Sequence, residues 1–252
     1  MQQVTARLER TQQRLASGKR MATAADDPAG LAMARRLEAA VRGMAQGERN
    51  LGDGQSLART AEGALQGTQD NLARMRELTV QAQNGTLTAV DRQAIQQEYD
   101  QLAGQIDQTA GGTSFAGRAL LDGSAAGANA VVVTDGNGGE QRLDVPDTRA
   151  QALGVAGRAV GDPATLQALD EASSRVSSVR ATLGAADNRL SAQATQLAET
   201  RANAEEARSR IEDADFAREL SEQTRDRILL GMQLAGHRVA GRRARAVLDL
   251  LG

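Results

Sequence analysis

Residues 164–203 read ATLQALDEASSRVSSVRATLGAADNRLSAQATQLAETRAN, a run with no proline. Every seventh residue is large and apolar: Leu169, Val176, Leu183, Leu190 and Leu197. Three places after each comes a mostly smaller residue: Ala172, Val179, Ala186, Gln193 and Thr200. This is a heptad, the pattern of a helix whose seam faces another helix. Five repeats make a rod of about 50 Å at 1.5 Å per residue. A rod of that length cannot bury its seam on itself, so it needs an equally long partner.

The partner lies at the other end of the chain. From Pro28 to Gln83 the same rule places Leu37, Met44, Leu51, Leu65 and Leu72 on one stripe, with Ala58 in the remaining place. The second stripe is Ala40, Gly47, Gly54, Ala61, Thr68 and Met75. Each interior glycine weakens a helix by roughly 1 kcal/mol relative to alanine. Burying a large aliphatic side chain returns about 1.5–3 kcal/mol, so packing outweighs propensity. The small second stripe is expected to let two helix backbones approach closely. The fold class that follows is mainly α: an elongated helical bundle or coiled coil built from the N- and C-terminal halves, with a small β-hairpin region between.

Outward from the rods, Val4, Leu8 and Leu15 give a short helix over 1–18, stopped at Ser17-Gly18. Asp27-Pro28 opens the first rod, since aspartate caps a helix and proline fits its first position. Asn84-Gly85-Thr86 breaks the rod, and a third helix spans 88–109 with Ile95, Tyr99, Leu102 and Ile106 on one face. Gly111-Gly112 is its expected end. Between 113 and 161 glycine, aspartate and asparagine are dense. Ala130–Thr134 and Gln141–Val145 flank Asp135–Gly139, the pattern of a hairpin. Asp162-Pro163 opens the second rod as Asp27-Pro28 opens the first. The charged run 202–216 is expected to be a hinge or linker. A last amphipathic stretch carries Leu220, Ile228, Met232, Ala235, Val239, Ala246 and Leu250 on one side. The helix over 1–18 can cover only about half of it, and an uncovered apolar face points to another chain. The domains so read are 1–18, a core of 19–204 (helices 28–83, 88–109 and 164–203, hairpin region 113–161), and 205–252.

Composition narrows the function. There is no Cys, no Trp, two Phe and one Tyr, and the formal net charge is −2. A core one side chain thick does not need the aromatics that fill a wide enzyme core. The balanced charge gives no long-range attraction to nucleic acid or an anionic membrane. No apolar run is long enough to span a membrane. Met1–Arg20 lacks the apolar core of a secretory signal peptide, so any export would use another route. His237 has no second histidine or cysteine to join it, which favours a solvated helix residue over a metal or catalytic site. Asp135–Gly139 lacks the ligand set of a calcium loop. Arg242, Arg243 and Arg245 without interleaved aromatics suit a solvated or intersubunit face better than phosphate binding. Glu212, Asp213 and Asp215 have no apolar pocket around them that would make them catalytic. Neither a catalytic, a metal nor a cofactor site emerges.

Several stretches resemble bacterial flagellin: QRLASGKRMATAADDPAGLAMARRLEAAVR (13–42), TAEGALQGTQDNLARMRELTV (60–80), 99–121 leading into TSFAGRALLDG, VRATLGAADNRL (179–190), ARSRIEDADFA (207–217) and the closing VLDLLG. The resemblance covers nearly the whole chain in order. It implies a filament subunit exported unfolded by the flagellar type III apparatus, self-assembling through its terminal helices, and serving motility. It also implies an export chaperone on the C-terminal helix, and filament-cap and hook-junction proteins as partners. The hook–filament junction protein shares both ends with flagellin and is the neighbouring reading; a non-polymerising adaptor is another. The large outer domains of many flagellins are missing. The family carries a longer stretch ahead of Leu15, so the first helix is expected to be a shortened one. HRVAGRRAR (237–245) is basic where the family is mostly uncharged. The residues matching the family's contact with its Toll-like receptor are Arg74, Leu78 and Glu98, expected to form one surface patch.

Overall fold

The structure, a computed structural model, describes residues 2–21, 23–136 and 138–251, with side chains as far as residue 242. The elements run α1 (Gln2–Ser17), α2 (Pro28–Ala82), α3 (Ala89–Gly112), β1 (Ser114–Phe115), β2 (Arg118–Ala119), a 3-10 turn (Gly127–Asn129), β3 (Val131–Thr134), β4 (Glu140–Leu143), α4 (Ala150–Leu153), α5 (Pro163–Glu212) and α6 (Phe216–Leu251). They form two compact units, one of residues 1–42 with 200–252 and one of residues 43–199. Asp27 caps α2 as expected, its Oδ1 accepting the Gly30 N–H at 2.9 Å.

In the unit of residues 43–199, α2 and α5 lie antiparallel. Arg59 reaches Asp187 at 3.3 Å, Arg180 reaches Glu62 at 3.7 Å, and Arg76 donates to Asp170 at 2.8 Å. The Gln69 amide donates to Ser173 Oγ at 2.5 Å. Exposed ion pairs contribute about 0–1 kcal/mol each, so this ladder sets register more than stability. Stability comes from the seam. Met44, Leu51, Leu65 and Leu72 are buried, as are Leu169, Val176, Leu183, Leu190 and Leu197. Leu37, in the other unit, is only half-buried.

The glycines of the second stripe serve a different neighbour from the one expected. A methyl group on Gly47 would overlap the Asp135 carbonyl oxygen, and one on Gly54 would sit 2.7 Å from Val133 Cγ2. The small stripe therefore seats the β3–β4 hairpin on α2, while Leu197 and Leu190 of α5 close in from the side. Gly47→Ala should lower stability despite a helix-propensity gain of roughly 1 kcal/mol, because the carbonyl cannot yield without unseating the turn. Chemical denaturation of the variant measures this; a rise in midpoint would contradict the close seat.

The hairpin itself pairs Val131 with Leu143 through Thr134 with Glu140. Asp135 holds its turn, accepting the Gly139 N–H at 2.8 Å on its carboxylate and donating its own N–H to the Gly139 carbonyl at 3.1 Å. Asn137, part of the expected turn, lies outside the described residues. A second, two-residue ladder, Ser114–Phe115 with Arg118–Ala119, was not legible from so short a run. Its turn puts Ala116 at φ 49° and Gly117 at φ 80°.

Helix α3 starts on a capping box between Thr88 and Asp91 and runs through Gly111-Gly112 to a Thr113 cap, longer than its glycines suggested. Ile95, Tyr99 and Ile106 are buried, Leu102 only partly. The Tyr99 hydroxyl donates to the Val155 carbonyl at 2.9 Å. Burial pushes its pKa from 10.0 up to about 12. The neutral phenol is the form the fold favours, so its contribution is intact below pH 10 and is lost as pH rises towards 12. Tyr99 is the chain's one tyrosine. Ultraviolet titration should thus show a single phenolate step displaced upward in folded protein and returning to the ordinary value in denaturant.

In the unit of residues 1–42 and 200–252, α5 stays helical through Glu212. The linker expected over 202–216 shrinks to the three residues between α5 and α6. Charge crowding suggested a hinge, but Arg201–Glu205 (3.6 Å) and Arg210–Glu206 (2.5 Å) are four-residue helix pairs that support the helix instead. The short break is clamped by the segment after α1. The Arg20 N–H donates to the Glu212 carbonyl at 2.7 Å, and the Ala214 N–H to the Gly18 carbonyl at 2.9 Å.

Candidate interaction surfaces

Helix α6 has two faces of opposite character. Arg14 on α1 bonds Glu219 at 3.2 Å, and Lys19 bonds Glu212 at 2.5 Å. The face of α6 towards α1 thus carries the acid Glu219, in line with Glu212 at the end of α5, while the stripe picked out by hydrophobic spacing is exposed. Leu220 is 54% exposed, Ile228 59%, Met232 66% and Val239 48%. Phe216, Leu229 and Leu234 are exposed beside them. The expectation that α1 covers half of this stripe is corrected: α1 occupies the acid face. The Leu250 side chain lies outside the described residues, as do those of Ala246, Arg243 and Arg245.

The residues matched to receptor contact divide. The Arg74 guanidinium bonds Glu98 at 2.8 and 2.9 Å and Glu77 at 3.1 Å, on exposed side chains. The Glu98 bond, then that of Glu77, raises the pKa of Arg74 further, keeping it charged. Leu78 is 1% exposed and belongs to the core, so a surface patch of all three does not form in the isolated chain.

Among the described residues there is no group of three or more histidines and acids able to hold a metal. No described helix is long and apolar enough to cross a membrane. His237 lines a shallow depression with Gln233, Gly236 and Ala240. A cleft of about 400 Å³ runs along β3 beside Asn50, Asp53, Leu57, Phe115 and Arg118.

Residues 1–126 match the family model of the bacterial flagellin N-terminal helical region, and residues 166–251 that of the C-terminal helical region. The chain is 36% identical to a flagellin of Bacillus subtilis, over 96% of this chain and 92% of that protein. It is 35% identical to a flagellar filament 33 kDa core protein of Treponema phagedenis, over 97% and 92%. Among solved structures it is similar to a crystal structure of Bacillus cereus flagellin, with 34% identity, TM-score 0.53, and coverage of 59% of this chain and 88% of that one. A hook-associated protein structure from Vibrio parahaemolyticus shares the fold at 18% identity and TM-score 0.63, covering 74% and 99%.

Proposed function

The chain belongs to the bacterial flagellin family, and from that membership we propose that its copies join through the exposed stripe of α6. It is a structural subunit of the flagellar filament, an extracellular homopolymer that serves motility, and the family is not one of enzymes. The observation that supports α6 as the joining surface is its exposure: Leu220, Ile228, Met232 and Val239 face solvent while α1 takes the opposite face. A subunit that polymerises keeps such a surface open until a second copy closes it. Seeding purified protein with short filament fragments and viewing it by electron microscopy tests this. Elongated filaments are expected; a chain that stays monomeric at high concentration would instead be the non-polymerising adaptor.

The same membership supports export through the flagellar type III apparatus, with a chaperone holding α6 beforehand and cap and hook-junction proteins meeting the filament's ends. A chaperone is chemically sensible, since an apolar stripe left open in the cytoplasm invites early association.

Recognition by the Toll-like receptor for flagellin rests on the Arg74–Glu98 pair. Arg74→Ala with Glu98→Ala should abolish receptor signalling while leaving helical content intact, because both side chains are exposed. Leu78→Ala is a poor probe, since truncating a buried leucine costs about 2–5 kcal/mol on its own. Signalling by the Arg74/Glu98 variant equal to the parent's would reject the contact.

A further inference from the structure

A line of buried acids runs at heptad spacing from the end of α5 into α6: Glu212, the last residue of α5, then Glu219 and Asp226 of α6, at 6%, 6% and 4% exposure. The first two have bases. Lys19 Nζ lies 2.5 Å from Glu212 and Arg14 3.2 Å from Glu219. Asp226 makes no hydrogen bond or ion pair with a described residue, and Glu219 Oε2 also lacks a donor. Glu219 Oε2 is enclosed without a donor, and Asp226 keeps only a sliver of water contact, so a cation beside Asp226 would stabilise it.

The antiparallel register says which one. On α1, Val4 and Thr11 are the buried residues, one heptad apart. Arg14 stands three places after Thr11, and Arg7 stands three places after Val4. Moving one heptad back along α1 from Arg14 gives Arg7. Moving one heptad forward along α6 from Glu219 gives Asp226. Arg7 is exposed and makes no side-chain bond with a described residue. Its long side chain is free to swing onto the acid.

We propose that Arg7 and Asp226 form the third rung of a charge key, Lys19–Glu212, Arg14–Glu219, Arg7–Asp226, that assigns α1 to the acid face of α6 in one register. Spacing alone would also admit a slip of one heptad, with Arg14 on Asp226. The slip is blocked at the other end, where it would break Lys19 from Glu212 and pull Gly18 and Arg20 off the backbone clamp at 212–214. The key thereby commits the apolar stripe to the outward side. That last consequence rests on reading the stripe as the subunit contact; the key does not.

The experiment is a charge-swap cycle on the monomer, read by hydrogen exchange of the α1 amides. Arg7→Glu and Asp226→Arg should each lower protection by about tenfold, and the double swap should recover to within about threefold of the parent. The Arg14→Glu and Glu219→Arg cycle, on a bond already seen, gives the reference coupling. Effects at Arg7 and Asp226 that simply multiply, while the reference pair couples, would overturn the third rung; multiplication in both would overturn the whole key. Should the reversals release α1 completely, Arg7→Gln with Asp226→Asn decides by the same criterion. Seeded elongation of the swapped protein is scored separately, so a parent that fails to polymerise removes the assembly reading and leaves the key to its own test.

Discussion

A subunit carrying both Ile228→Asp and Met232→Asp is expected to fold, pair α1 with α6, and fail to enter filaments. Both residues are more than half exposed in the single chain, so in the monomer the new carboxylates meet water and cost little. In a filament they would lie against apolar surface without donors, a penalty of several kcal/mol per charge. Each 1.4 kcal/mol is a factor of ten, so the concentration needed for elongation should rise by at least about a hundredfold. Circular dichroism would confirm unchanged helicity, and sedimentation after seeding would report the lost polymer. Elongation at the parent's concentration would remove α6's stripe from the subunit contact. The acid face supplies the internal control, since Glu219 is bonded to Arg14 of α1.

The second large effect lies in the seam of the other unit. Leu190 is fully buried, close beside Gly54 and the Val133 side chain of the hairpin. Leu190→Ala should cost about 2–5 kcal/mol, from lost transfer energy and the cavity left behind. An isolated amphipathic helix whose seam bears no load would lose less than about 1 kcal/mol from the same change at an exposed site. Urea unfolding followed at the single tyrosine separates these outcomes. Tyr99 reports on the same compact unit, because α3 and α5 up to residue 199 belong to it.

The rods were legible because a heptad constrains every seventh residue over many turns, and a seam that long has few alternatives. Leu51, Leu65, Leu183 and Leu190 sit where spacing put them. The hairpin was legible from β-branched runs on either side of a glycine-rich turn. The partner of a small residue was not. Gly47 records that something approaches closely, and only the structure shows it to be Asp135 rather than another helix. The acid face of α6 was missed for a related reason. Glu212 was read as part of a charged linker, and Glu219 and Asp226 drew no reading, because apolar periodicity gives no weight to acids at seam spacing. That Glu219 meets Arg14 of α1 and Glu212 meets Lys19 is a fact of tertiary pairing. Leu78 shows the converse: its place in the sequence matched a surface motif, while packing withdraws it from solvent.

The two halves of the chain meet lengthwise, residue 69 beside residue 173. The parent has no cysteine, so thiols can be placed one pair at a time. Gln69→Cys with Ser173→Cys in the monomer, treated with a short bis-maleimide, should give a fast-migrating, internally linked chain at high yield. Gln69→Cys with Asp187→Cys, nearly four helical turns further along α5 than Ser173, should give almost none. Equal yields from both pairs, or a preference for the second, would contradict the antiparallel seam on which the fold is built.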